Sequence, residues 1–148
     1  MGLLERLRHA IDPDPDEQRD PEAGKRIAAA VLLLEMAHAD HQHAPEEYAE
    51  IRRQLKAHFG LDDDETEELL AAAQPEAQEA VSLYRFLKTL NDGLDPTEKR
   101  QVLEMLWRVA YADRHLDARE EHLLREMAEL LYLPHSEFIR AKLTVTGE

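Results

Sequence analysis

Cysteine is absent from the 148 residues, glycine numbers five and aromatic residues make up 5%. Without cysteine there is no disulfide framework, no thiolate metal site and no cysteine nucleophile. The glycines stand at positions 2, 24, 60, 93 and 147, too scattered for a phosphate loop or a G-x-G-x-x-G turn. The two serines, Ser82 and Ser136, lack a G-x-S-x-G context, and no H-E-x-x-H occurs. Nucleophilic catalysis has no visible machinery, and the chain reads as a non-enzyme.

Long hydrophobic runs are missing too. The longest, Ile27 to Leu34, has eight residues, far short of the roughly 20 that span a bilayer. Residues 2–11, GLLERLRHAI, are amphipathic and do not resemble a signal peptide. A soluble, cytoplasmic protein without direct membrane insertion is expected.

Positive charge is in short supply. Thirty-two acids face 18 Lys and Arg, for a formal net charge of −14. A surface of that sign repels phosphates, which argues against nucleic acid and anionic membranes as partners. The acidity is local. Residues 12–20 hold five acids and one base, and residues 62–68 hold six acids and no base. Hydrophobic residues still make up 43% of the chain, enough for one domain with a core of its own.

What is present is helical periodicity. Leu3, Leu4, Leu7 and Ile11 stripe a short first helix. Asp12 to Pro21 then carries three prolines in ten residues and reads as a linker. This divides the chain into a leader over 1–21 and a helical domain over 22–148. A helix from about Glu22 to Ala39 is apolar around much of its surface, as a central helix would be. Later starts are marked by Pro45, Asp62, Asp95-Pro96 and Asp117, with weaker ones at Gln74-Pro75 and Leu133-Pro134. Asn91-Asp92-Gly93 predicts a turn that ends the preceding helix. Only Leu143 to Thr146 alternates like a strand. Trp107, Tyr111, Phe59, Tyr84 and Phe86 fall on apolar stretches and predict core aromatics. The fold class is all-α, with seven to eight helices in a compact bundle.

A self-similarity at an offset of 73 organises this bundle. Met36-Ala37-His38-Ala39-Asp40 matches Val109-Ala110-Tyr111-Ala112-Asp113, and Glu47 and Arg52 match Glu120 and Arg125. Each copy reads as an apolar helix, A-x-A-D, a short loop and an acidic helix start. Two pseudo-symmetric hairpins follow, at about 25–60 and 98–133.

The aspartates sit oddly, because a carboxylate at a helix C-terminus faces the negative end of the macrodipole at a cost of about 0.3–1 kcal/mol. Two accounts fit. In one, Asp40 and Asp113 shape the interhelical turns while Glu47 and Glu120 are N3 capping residues. In the other, the Asp and Glu of each copy converge on a hard divalent cation such as Ca²⁺, Mg²⁺ or Mn²⁺. The loop is no EF-hand, lacking its Gly and its terminal Glu. His38, His41 and His43 flank Asp40 and form a second-choice ligand set that would suit Zn²⁺, Ni²⁺ or Cu²⁺. The second copy has Tyr111, Arg114 and Leu116 there instead.

The paired A-x-A-D…E hairpins, the central apolar helix and the helix ends Phe59-Gly60-Leu61 and Leu131-Tyr132-Leu133 resemble the TerB-like family, named for a tellurite-resistance protein. The resemblance covers about residues 22–144. It implies an all-helical domain with an acidic metal-binding site built from Asp40, Glu47, Asp113 and Glu120. Family members often have Gly after the Asp, where this chain has His41 and Arg114. The expected function is a non-enzymatic domain that binds a divalent cation (Ca, Mg, Mn or Zn) in a stress-response assembly. The alternative is a protein-binding adaptor whose acids serve only as caps. A protein partner or homo-oligomer is expected in either case, and a membrane-protein partner would give peripheral association.

Overall fold

The computed structural model describes residues 21–38, 45–78, 80–112, 114 and 116–147. Seven α-helices are found among them, with no strand. They are α1 (Pro21–His38), α2 (Pro45–Phe59), α3 (Asp63–Ala73), α4 (Ala80–Gly93), α5 (Pro96–Ala110), α6 (Ala118–Leu130) and α7 (His135–Thr146). A 3₁₀ turn at Glu76–Gln78 precedes α4. The short helix expected over residues 2–11 lies outside the described residues.

α1 is the central helix. Every residue from Ile27 to Leu34 is buried. Eight consecutive positions cover more than two turns, so no face of the helix is left for solvent. It packs against α2, α3, the 3₁₀ turn, α4, α5 and, more lightly, α6. Burying each Leu or Ile side chain there contributes about 1.5–3 kcal/mol. A single Leu33→Ala exchange would cost about 2–5 kcal/mol.

Local signals set the helix starts. Asp62, Asp95 and Asp117 each accept a hydrogen bond from the N–H three residues on, at 2.8 Å in all three cases. The N3 residues Glu65, Glu98 and Glu120 reach back to the cap N–H at 3.1, 3.1 and 3.4 Å. These are full capping boxes. Pro45 and Pro96 open α2 and α5, where a missing N–H costs nothing.

The repeat is longer than two hairpins. α2 and α6 begin 73 residues apart, at Pro45 and Ala118, and both close with a left-handed residue, Gly60 (φ 66) and Tyr132 (φ 59). The following N–H then reaches back five residues: Leu61 to the Lys56 carbonyl at 3.1 Å, Leu133 to that of Ala128 at 2.9 Å. These closing bonds satisfy the orphan carbonyls of the last turn. The offset has now dropped to 72, and a third helix follows in each copy. Thr66 and Leu69 of α3 are buried like Phe138 and Ala141 of α7. α3 packs on α1 and α2 as α7 packs on α5 and α6. The described residues therefore form two three-helix units with α4 between them. Asn91 ties α4 to the second unit, its Nδ2 donating to the Leu130 carbonyl at 2.8 Å.

Three expectations are corrected. α4 runs through Asn91 and Asp92 to Gly93, and the Leu94 N–H continues the ladder to the Leu90 carbonyl at 2.9 Å. Gly93 is not a left-handed turn residue; a Cβ there would stand 2.9 Å from Lys25 Cε, so its bareness makes room for that stem. Leu143 to Thr146 is helical. The Thr144 and Thr146 hydroxyls donate to the carbonyls four residues back, at 2.9 and 2.8 Å, which lets β-branched residues finish a helix. Tyr84 is 61% exposed on α4 rather than in the core. Trp107 and Phe86 are buried as expected.

Candidate functional site

The two apolar helices α1 and α5 end at His38 and Ala110, and the next helices open seven and eight residues later. Asp40, His41 and His43 lie outside the described residues, as does Asp113. Of the expected ligands, the structure places Glu47, Glu120 and His38. His38 is half-buried at the end of α1, its ring 6.2 Å from that of Tyr48.

Glu47 and Glu120 occupy the third position of α2 and α6. Both are buried, at 0% and 2% exposure. Both oxygens of Glu47 and Oε2 of Glu120 are shielded from solvent, while Oε1 of Glu120 makes the capping contact to the Asp117 N–H. The N3 glutamates of the other two capping boxes differ: Glu98 is exposed and Glu65 half-buried. A cap satisfies a backbone N–H at the rim of a helix and does not require burial. Removing a carboxylate from water is costly unless opposite charge or donors compensate. The two repeat glutamates thus stand apart from the acids they resemble in sequence.

Two backbone bonds are described in the loop after α5. Ala112 N–H bonds to the Val109 carbonyl at 3.2 Å and Arg114 N–H to the Tyr111 carbonyl at 2.9 Å. Arg114 is left-handed, with φ 63, a conformation that favours glycine. Its side chain is exposed. On α1, burial raises the Glu35 carboxyl above its ordinary value.

A family model described as "Tellurite resistance protein TerB" matches residues 26–143. The chain belongs to the TerB family. The match spans both three-helix units. Neither the curated proteins nor the solved structures yielded a match. Arg114 stands where the resemblance led us to expect glycine, and its left-handed backbone is one that glycine adopts without a Cβ penalty.

Glu47 and Glu120 supply hard carboxylate oxygens, the donors that Ca²⁺, Mg²⁺ and Mn²⁺ take. Among the described residues no three His, Asp or Glu group closely enough to hold an ion. A coordination shell there would have to draw on residues outside those described, among which the expected Asp40 and Asp113 fall. Among the described residues no helix is long and apolar enough to cross a membrane.

Sequence reasoning missed the burial of Glu47 and Glu120. No local signal distinguishes them, because every N3 glutamate reads alike.

Proposed function

We propose that this TerB-family domain is a non-enzymatic module that holds a divalent cation at its hairpin ends. Asp40 and Glu47 would serve the first hairpin, Asp113 and Glu120 the second. The bound cation would fix the loops that join the helices of each unit, and the module would act in a tellurite- or stress-response assembly. One observation carries this reading: of the N3 glutamates, the two that repeat are the two withdrawn from water. Metal-stripped protein should take up Ca²⁺ or Mn²⁺ with measurable heat and a rise in melting temperature. At one hundred times Kd the gain is about 2.7 kcal/mol. The double variant Asp40→Asn, Asp113→Asn should lose that gain. No heat and no melting shift with Ca²⁺, Mg²⁺, Mn²⁺ or Zn²⁺ would sink the reading.

A second reading is an adaptor whose acids only cap, and the Asp117–Glu120 box favours it. There Asp117→Ala would cost about 0.5–2 kcal/mol in chelator-treated buffer, and added metal would change neither protein's melt.

A further inference from the structure

The starts of α1 and α5 and the ends of α2 and α4 border a cavity of about 210 Å³. Its floor is apolar, made by Ala29, Phe59, Leu90, Leu94 and Val102. Phe59 and Leu94 are only half-buried, so part of that floor faces water. The rim is charged. Glu22 and Lys25 stand on α1, paired at 3.2 Å, and Glu98 stands on α5. Oε1 of Glu98 accepts from the Asp95 N–H at 3.1 Å, which leaves Oε2 for a cation. Ala29 and Val102 are equivalents in the repeat, as are Lys25 and Glu98. The cavity therefore lies between the two units rather than within either.

The chain's own leader carries a matching surface. Residues 2–11 are followed by residues 12–20, which join α1 at Pro21, next to Glu22 on the rim. A tether of that length reaches at most about 30 Å, so the leader stays within reach of this end of the bundle. It also holds the leader at about millimolar effective concentration, where even a contact of millimolar affinity is half formed. At the helical step per residue, Leu3, Leu4, Leu7 and Ile11 fall within about 100° of one face. Arg6 flanks that stripe on one side and Arg8 on the other, while Glu5 and His9 fall on the back. The stripe is apolar between two cations. The cavity is apolar between two carboxylates, one on α1 and one on α5. Residues 12–20, with five acids and one base, are repelled by the same rim and make no rival occupant.

We propose that the cavity between α1, α2, α4 and α5 is the docking site of the chain's own residues 2–11. The leucine stripe lies over Phe59 and Leu94, and the two arginines face Glu22 and Glu98. Docking takes apolar surface of both partners out of water and makes the leader part of the domain. This goes beyond the cation reading, and none of the hairpin-end acids lines the cavity.

The test uses the full chain, whose lack of cysteine lets a single one be placed at will. His9→Cys, on the back of the stripe, is coupled to a nitroxide, and amide broadening is read across the ¹⁵N-labelled protein. Residues 22–25 adjoin the leader along the chain and broaden in any case, so residues 58–59, 90–94 and 98–102 decide. Strong broadening is expected there. Leu4→Ser with Leu7→Ser should abolish it. Arg6→Glu with Arg8→Glu should weaken it, as should high salt, which screens exposed charges. Both pairs of changes lie outside the helical domain, so its own spectrum should be retained. Broadening that is spread evenly over the surface, centred elsewhere, or unchanged by either pair would overturn the proposal. So would equal broadening of a ¹⁵N copy without nitroxide when it is mixed with nitroxide-bearing protein lacking ¹⁵N, since that names a second copy as the occupant.

Discussion

Arg26 lies over the ring of Phe59, its guanidinium carbon 5.8 Å from the ring centre, and 73 residues on Lys99 lies over Tyr132 at 5.7 Å. Each pair joins the start of an apolar helix to the end of the helix that follows. The internal symmetry therefore reaches the end of the bundle opposite the hairpin loops. A cation over an aromatic face contributes about 0.5–1 kcal/mol where exposed. The aromatic also marks where the two units diverge by one residue: Phe59 precedes the left-handed Gly60, whereas Tyr132 is itself left-handed.

Left-handed positions differ in what occupies them, and this is testable. Gly60 has open space where a Cβ would be built, so Gly60→Ala meets no clash and only backbone strain. It should destabilise by about 1 kcal/mol. Arg114→Gly should do the reverse, raising stability by up to about 1 kcal/mol, since the left-handed backbone is retained and the Cβ penalty removed. Paired urea melts with unchanged slope would check both. Opposite signs are the expected result; equal signs would contradict the backbone assignment.

Trp107 is fully buried and packs against Phe138. Truncating it to alanine should cost about 3–5 kcal/mol, a large part of a typical domain stability of about 5–15 kcal/mol. The indole N–H is buried without an acceptor among the described residues. Trp107→Phe therefore gives up no hydrogen bond and removes a donor that is costly to leave unmade. It should cost less than half as much as Trp107→Ala. Thermal melts of the two variants side by side would measure the ratio.

These residues also show how far the sequence was legible. The helix starts at Asp62, Asp95 and Asp117 were readable because caps are local: an Asp, an acid three residues on and an apolar stripe suffice. Central burial of α1 was readable from an apolar run with no polar face. The third helix of each unit was not, because α3 and α7 share burial positions rather than residue types, and Thr66 against Phe138 conceals the match. The single-residue slip at Gly60 and Tyr132 hides it further. Tyr84 and Gly93 misled for a related reason. Whether an aromatic is covered, or a glycine sits in a helix, depends on what packs alongside, and that partner is distant in the chain. At the candidate site, spacing singled out Glu47 and Glu120, but their burial follows from tertiary packing alone.

Two groups give pH dependence of opposite sign. Burial lowers His58 from its ordinary 6.5, partly countered by Glu98. A lowered histidine binds its proton less readily folded than unfolded, so stability falls as pH drops through about 6.5 and levels off below the folded value. Burial raises Glu35 above 4.5. A raised carboxyl holds its proton longer in the fold, so stability falls as pH climbs from about 4.5 through the folded value. His58→Gln should flatten the slope just below pH 6.5, and Glu35→Gln the opposing slope above pH 4.5. Denaturant midpoints from pH 4 to 8, on the order of half a unit apart, would resolve the two.

The charge of the buried glutamates can be separated from the capping contact that Glu120 makes. Glutamine keeps an acceptor oxygen at N3 and removes only the charge, so Glu98→Gln at an exposed cap should stay within about 0.5 kcal/mol of the parent. Glu47→Gln and Glu120→Gln should behave otherwise if their carboxylates serve a cation. Their melts in chelator-treated buffer set the reference. With saturating Ca²⁺ or Mn²⁺ the parent should rise further above its reference than either variant, because only the parent gains the full binding energy. That difference separates the two functional readings. A pure cap would leave the gap between parent and variant unchanged by metal. Differential scanning calorimetry of Glu98→Gln, Glu47→Gln and Glu120→Gln with and without metal would show which holds.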